Sequence, residues 1–401
     1  MQQNFNKLIF LTGEQTLLER IREIPVKKIF DDRIIDFLGD LSKQILKDSR
    51  SKQYPDVVTY AFWIRRKSLI AMRNDNQTKQ IRLGRGIAFH IAPSNVAVSF
   101  ALSFTAALLA GNASIVRVSN KHFVQVDIIV DAVRRLTEEI YPDLKPYLIL
   151  VRYEHDEETT QALSELCDIR IIWGGNQTIR LIRKAVLPPR AIELTFADRH
   201  SAAVINAEAY LSGDCVSIAK DFYLDTYYSD QNACSAPRIV VWFGHKIEEA
   251  QEKFWKNIQE LVDKDYEFAP ILAIDKWIAL CTLAAEQPDN IHLCSHSNKL
   301  VRVKVERLNS DLMGYKTGGG YFFEYTAKHL KEIIPILGKP CQTIACYGIP
   351  KENIENLLFE ENVRGIDRIV PFGHTMDLSV IWDGYNMVET MSRIVDSWEV
   401  L

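Results

Sequence analysis

The 401 residues hold no excess of positive charge, no disulfide framework, no clean membrane-length run and no ordinary dinucleotide fingerprint. Each absence excludes a class of protein. Lys plus Arg number 48 against 52 Asp plus Glu, a net charge of -4, so no broad basic face is available to track phosphates. Nucleic acid is not an expected partner. The seven cysteines are odd in number, scattered and without a CxxC pair, which argues against a disulfide scaffold and against a structural zinc site. Reduced thiols are expected. The N-terminal apolar run, Leu8 to Leu11, is too short for a secretory leader, so the protein is expected in the cytoplasm. The stretch 91–116 approaches spanning length, but Pro, Asn, Gly and hydroxyl side chains interrupt it, and a buried core helix is expected there rather than a membrane span. His292 and His296 stand at HxxxH spacing without a glutamate beside the first or a carboxylate ligand nearby, so no metal is expected.

What the chain does have is an alternating texture. Hydrophobic residues make up 47% of it, enough for a large core and two or three domains. From about Glu14 to Arg73, apolar residues at three and four spacing (Leu17, Leu18, Ile21, then Ile34, Ile35, Leu38, Leu41, Ile45) predict covering helices. Thereafter strand and helix patterns alternate for about a hundred residues: GRGIAFHIAP, a helix ending at Gly111-Asn112, ASIVRVS, a helix over 124–140, KPYLILVRY, ETTQALSELCD and IRIIWGG. Such alternation calls for a parallel sheet with helices on both faces, a doubly wound α/β domain. A second α/β region follows Asn206 with its own strands and helices. The pattern divides the chain into 1–206, helices followed by the doubly wound domain; 207–375, the second α/β domain; and 376–401, a C-terminal segment that packs back or oligomerises.

Ligands of doubly wound sheets bind at the carboxyl ends of the strands, so the loops at 92–95, 118–121 and 173–176 should face one crevice. A GxGxxG turn is missing, since Gly84-Arg85-Gly86 precedes its strand. WGGNQTIRLIRK offers a substitute: Gly174 and Gly175 close a strand, Asn176 or Thr178 can cap the next helix, and free backbone N–H groups remain for an anion. A plain strand-to-helix turn fits the same residues. Arg117 and Lys121 flank the neighbouring strand end, where they suit a ribose or its phosphate.

Cys234 lies among polar and small residues in DQNACSAPRIVVWF, unlike Cys346 and Cys281, which sit inside apolar runs as structural cysteines do. Ala233, Ser235 and Ala236 leave room for an acyl group beside the sulfur, and a thiolate is a strong nucleophile toward carbonyl carbon. His200 and Glu193, just ahead of a strand, are candidates for a base near the thiol; a structural role for either is the competing reading.

Taken in order, APSN at 92–95, GNASIVRVS at 111–119, WGG at 173–175 and QNACSAPRIVV at 231–241 resemble the aldehyde dehydrogenase superfamily, and most closely its acyl-CoA reductase (LuxC-type fatty acyl reductase) family. RIVPFGHTMDLSVIWDG at 368–384 is similar to that family's ending. The resemblance implies an aldehyde dehydrogenase-like α/β fold, a Rossmann-type cofactor domain beside a second α/β catalytic domain. It implies NAD(P)H-dependent reduction of an acyl thioester, on coenzyme A or on a protein, to an aldehyde. It also implies Cys234 as nucleophile, Asn95 as oxyanion donor and His200 as a candidate aid to ionisation. Ser94, Arg117, Ser119, Gly174, Gly175, Asn176 and Glu193 are its implied cofactor contacts, with NADPH, or else NADH, as cofactor. A homo-oligomer and an acyl-transfer partner protein belong to the same expectation. The sequence departs from the superfamily where ELGGK stands as ELTFADR, where Arg117 replaces a lysine and where Gln342 takes the place of a glutamate. With no assured base to activate water, reduction of an activated acyl group is favoured over acid formation. An NAD-dependent aldehyde dehydrogenase, an acyl-phosphate reductase and a cysteine acyltransferase are the alternatives.

Overall fold

A computed structural model describes residues 5–78 and 80–396, without the side chains of Ser295 and His296. The chain forms two compact units: residues up to Ala197 together with those from Leu378 onward, and Asp198–Asp377. The pattern-based boundary at 206/207 falls at the end of the strand His200–Asn206, which pairs within the second sheet. Residues 397–401 of the expected C-terminal segment, and the His296 side chain, lie outside the described residues.

The first unit is built on a six-stranded sheet in the order Ile9–Thr12, Leu148–Arg152, Ala113–Arg117, Ile87–Ile91, Ile169–Trp173, Ile192–Phe196. All pairs are parallel except the first, where Ile9–Thr12 runs antiparallel to Leu148–Arg152. The chain winds outward from Ile87–Ile91 in one direction, then crosses back to Ile169–Trp173 on the other side. The topological switch point therefore falls between those two strands. Strands buried on both faces explain the scarcity of polar residues in them: Ile169–Trp173, with Arg170 its one charged side chain, is buried at every residue.

The apolar stretch that approached membrane length becomes the helix Ser99–Leu109, in which ten of eleven residues are buried. At 1.5 Å per residue it is about half as long as a bilayer core is thick. Among the described residues no helix is long and apolar enough to cross a membrane. The motif that follows the helix locks the unit together. Gly111 has φ +88° and a Cβ there would lie 2.1 Å from the Lys27 carbonyl oxygen, so only glycine fits. Asn112 is fully buried; its oxygen accepts from the Arg85 and Gly86 N–H groups (2.7 and 3.1 Å) and its amide donates to the Ala107 and Met391 carbonyls (3.2 and 2.9 Å). The returning C-terminal segment adds the strand Ser392–Val395 to Ile81–Gly84 and buries Met387, Val388 and Met391 in the first unit's core.

The second unit carries a seven-stranded sheet in the order Ile291–His296, Val301–Val305, Tyr321–Thr326, Pro237–Phe243, His200–Asn206, Cys341–Tyr347, Arg368–Pro371, parallel but for its first pair. Alternation along the central strands sorts side chains into two cores. Ala202, Val204, Ile239 and Val241 face one layer; Ala203, Ile205, Val240 and Trp242 face the other, against Phe222, Phe254 and Trp255 from the helices Cys215–Thr226 and Ile247–Asp265. Each Val, Ile or Phe side chain among them, fully buried, contributes roughly 1.5–3 kcal/mol.

Candidate active site

The cysteine loop precedes Pro237–Phe243, a strand buried at every residue. It turns through Asp230 and Gln231, both in the left-handed region at φ 51° and 55°. Each non-glycine residue there costs about 1–2 kcal/mol, which a dense set of bonds offsets. The buried Gln231 amide accepts from the Gly320 and Tyr321 N–H groups, both at 2.9 Å, and donates to the Pro237 and Tyr321 carbonyls at 3.1 and 3.2 Å. Gly319 N–H donates to the Asp230 carbonyl at 2.8 Å, and a Cβ on Gly318 would lie 2.5 Å from that same oxygen. The glycine run 318–320 thus exists to let one backbone lie against the other. The buried Arg238 guanidinium ties the two segments again by donating to the Gln231 and Thr317 carbonyls.

Cys234 emerges from this framework exposed. Its carbonyl accepts from the Ser201 hydroxyl at 2.7 Å, and Ser201 Oγ accepts in turn from the Thr343 N–H at 3.2 Å. The next residue, Ser235, lies 3.7 Å from the Met376 sulfur, in the segment PFGHTM. None of the seven cysteines is in a disulfide. Burial pushes the thiols of Cys167, Cys341 and Cys346 up to about 12, which leaves them inert at neutral pH. Cys281, expected inside, is exposed instead, because its helix Ile271–Glu286 also turns Ile271, Ile274, Trp277 and Ile278 outward.

His200 starts the strand that carries Ser201, but its buried ring donates from Nε2 to the Ile336 carbonyl at 3.2 Å. Burial, helped by Lys316, Arg199 and Arg238 and opposed by the Ile336 bond, brings it down to about 4, so the imidazole is neutral at pH 7. The positive charge around the cysteine comes from elsewhere. Arg238, lowered to about 10 by burial and raised in the opposite sense by Cys234, stays protonated. Lys316, which donates to the Arg199 carbonyl at 3.4 Å, is lowered by burial and by Arg238 and raised by Asp198 and Cys234. Neither cation was singled out by the sequence; the one signal for Lys316 was the glycine run directly after Thr317.

In the first unit, the loops after Ile87–Ile91 and Ile169–Trp173 flank the switch point. Ser94 and Asn95 are exposed in the first of them. Gly175, rather than Asn176 or Thr178, is the N-cap of the short helix Asn176–Ile182, and Gly174 N–H donates to the Phe196 carbonyl at 3.1 Å. A small apolar hollow lined by Ala92, Pro93, Val96, Phe100, Val118 and Phe123 adjoins the loop after Ala113–Arg117, where Ser119 Oγ accepts from the Lys121 N–H at 3.1 Å. Arg117 leaves that strand end with its guanidinium over the Tyr153 ring, 4.6 Å from the centroid, donating to the Tyr153 carbonyl at 3.3 Å, while its buried Nε has no hydrogen-bond partner. Glu193 is held on both oxygens: one accepts from Arg183 at 2.6 Å and the other from the buried Arg170 at 2.8 Å. Among the described residues no group of three or more His, Cys, Asp or Glu side chains is placed to hold a metal.

Solved structures share this architecture. A lactaldehyde dehydrogenase matches with a TM-score of 0.68 at 12% identity, over 94% of this chain and 88% of that one. A mutant of the 1-pyrroline-5-carboxylate dehydrogenase of Thermus thermophilus matches at 0.65 and 12%, over 96% and 84%. A putative methylmalonate-semialdehyde dehydrogenase from Sinorhizobium meliloti, complexed with NAD, matches at 0.59 and 14%, over 96% and 86%. The fold is therefore that of the aldehyde dehydrogenases, as the motifs implied. No curated protein sequence matches the chain. The family model described as Acyl-CoA reductase (LuxC) matches residues 13–293, well over half the chain and inclusive of QNACSAP, and the chain belongs to that family. It is an oxidoreductase that reduces an activated acyl group to an aldehyde.

Proposed function

We propose that reduction proceeds through a thioester on Cys234. The sulfur attacks the carbonyl carbon of an acyl thioester; a carbon–sulfur bond to the protein forms, the bond to coenzyme A or a carrier thiol breaks, and that thiol leaves with a proton. When bound, a reduced nicotinamide supplies the hydride. Cys234 then leaves as the thiohemiacetal oxygen re-forms a carbonyl, which releases the aldehyde. The Asn95 amide and the Cys234 backbone N–H are assigned to the oxyanion, a role in which one donor is worth roughly 3–4 kcal/mol.

One observation carries this reading: the single cysteine of the family motif is exposed at the end of a loop fixed by Gln231, Arg238 and Ser201, while Cys167, Cys341 and Cys346 are buried. The state of Glu193 supports the direction of the reaction. Both its oxygens are engaged by guanidinium groups, so it is not poised to activate water against an acyl-enzyme. Ser94, Ser119, Gly174, Gly175 and Asn176 remain the residues assigned to the cofactor in the carboxyl-end loops of the first sheet; Glu193, assigned with them, is the second residue of its strand and so stands at the sheet's amino end, level with Arg170. Arg117, with its unsatisfied Nε, is the residue on which NADPH is read over NADH. A homo-oligomer, a cytoplasmic location and an acyl-transfer partner protein complete the reading.

Purified protein given acyl-CoA and NADPH is expected to consume the reduced nicotinamide absorbance, and labelled acyl-CoA to modify Cys234. Addition of NADPH should then discharge the label. Turnover confined to aldehyde plus NAD, or label transferred without any use of nicotinamide, rejects the reading in favour of a hydrolytic dehydrogenase or an acyltransferase. Turnover confined to acyl phosphates rejects the thioester substrate.

A further inference from the structure

The reaction proposed above needs a sulfur that is ionised near neutral pH, starting from a free value of about 8.5. His200 is not equipped to supply the charge, since its ring is buried, neutral and bonded to Ile336. The segment 316–320 is. Arg238 clamps the Thr317 carbonyl to the Gln231 carbonyl, three residues before the nucleophile. From the residue ahead of that clamp, the Lys316 side chain reaches the Arg199 carbonyl. Two residues after Arg199, the Ser201 hydroxyl holds the Cys234 carbonyl. Lys316 is thus anchored at its backbone next to the clamp on one end of the cysteine loop and at its ammonium to a carbonyl two residues ahead of the serine that fixes the other end.

We propose that Lys316 is the electrostatic partner of Cys234, an ammonium that favours the ionised sulfur before substrate arrives, with Arg238 held beside it as a fixed second charge. Burial first, and then Arg238, bring Lys316 below its ordinary value, while Asp198 and the thiolate of Cys234 oppose them; by reciprocity the protonated lysine favours the thiolate. The charged and titratable groups around this cluster include Asp198, Arg238, the neutral His200 and Arg199, whose guanidinium is paired with Asp367 at 2.5 Å. The proposal rests on Cys234 being the nucleophile, but its test needs neither substrate nor cofactor.

The test is the pH profile of iodoacetamide alkylation at Cys234, read by peptide mass spectrometry so that the exposed Cys281 and Cys294 are scored separately. In Lys316→Met the midpoint is expected about one unit higher than in the parent, a roughly tenfold slower alkylation at pH 7, while Cys281 and Cys294 do not change. Lys316→Arg, which keeps the charge, should stay close to the parent. Should Lys316→Met fail to fold by circular dichroism, Lys316→Gln takes its place. Profiles for Lys316→Met or Lys316→Gln that superimpose on the parent's overturn the proposal. A shifted profile in an enzyme whose Cys234→Ala variant still reduces acyl-CoA would instead overturn the reading of Cys234 and leave the electrostatic pairing standing.

Discussion

The Ser201 hydroxyl stands between two strands' worth of backbone, donating to the Cys234 carbonyl at 2.7 Å while it accepts from Thr343 N–H at 3.2 Å. One side chain therefore sets the height of the cysteine loop against the sheet. Ser201→Ala removes both bonds inside a fully buried pocket, at a cost of about 1–3 kcal/mol. The expected result is a melting temperature lower by several degrees and a reductase kcat/KM down at least tenfold, since small misplacements of a nucleophile are expensive. A variant that melts lower but turns over at the parent's rate would show the bond to be structural only.

Asn112 makes a different kind of prediction because all its polar atoms are spent on backbone. Asn112→Ala leaves the Arg85 and Gly86 N–H groups and the Ala107 and Met391 carbonyls without this partner. A loss of roughly 2–4 kcal/mol is expected. Limited proteolysis reads it directly: cleavage near Met391 should appear in the variant under conditions where the parent resists.

Acid sensitivity follows from the buried histidine of each unit. Burial brings His90 down to about 3 and His200 to about 4. Both folded values lie below the unfolded value near 6.5, so only the unfolded chain takes up these protons as the pH falls below that point. Stability is fully present above pH 6.5 and is lost on the way down, at about 1.4 kcal/mol per unit for each histidine, until the folded values are reached. Chemical denaturation at pH 7 and pH 5 measures the slope. His90→Gln, placed between Ser103 and Ser114, should make it shallower by one histidine's share.

Glu193 anchors Arg170, whose side chain is only 3% exposed. Glu193→Ala strands that guanidinium, with the Ser164 hydroxyl and the Ala185 carbonyl as its remaining partners. Removing one member of a buried pair costs about 3–5 kcal/mol. The double variant Glu193→Ala with Arg170→Met is expected to recover part of that loss, as read by thermal melting; no recovery would mean that Glu193 acts through something other than its ion pairs.

Much of the first sheet was legible because its signal is local. The strands from Ile87 to Trp173 announce themselves as β-branched runs between helical periods, and their order follows from right-handed crossovers. Ile9–Thr12 escaped notice: four residues whose place at the sheet edge depends on pairing with a strand about 140 positions later. The cysteine loop was legible for the opposite reason, as a break in pattern where a thiol stands among small polar residues. Lys316 and Arg238 were not, since their meaning lies in a contact between two segments some eighty residues apart that no periodicity marks. Cys281 misled because an apolar run in a helix does not say which of its faces is covered.

The way the C-terminal segment completes the first unit has a consequence for the order of synthesis. Met387, Val388 and Met391, and the strand that pairs with Ile81–Gly84, leave the ribosome only after every residue of the second unit has been translated. The continuous stretch 198–377 has all its strands in hand first, while the nascent first unit waits with part of its core unsealed. A stop codon placed just ahead of Met387 should therefore yield a polypeptide whose early-made half clumps or is degraded, although its later-made half is whole.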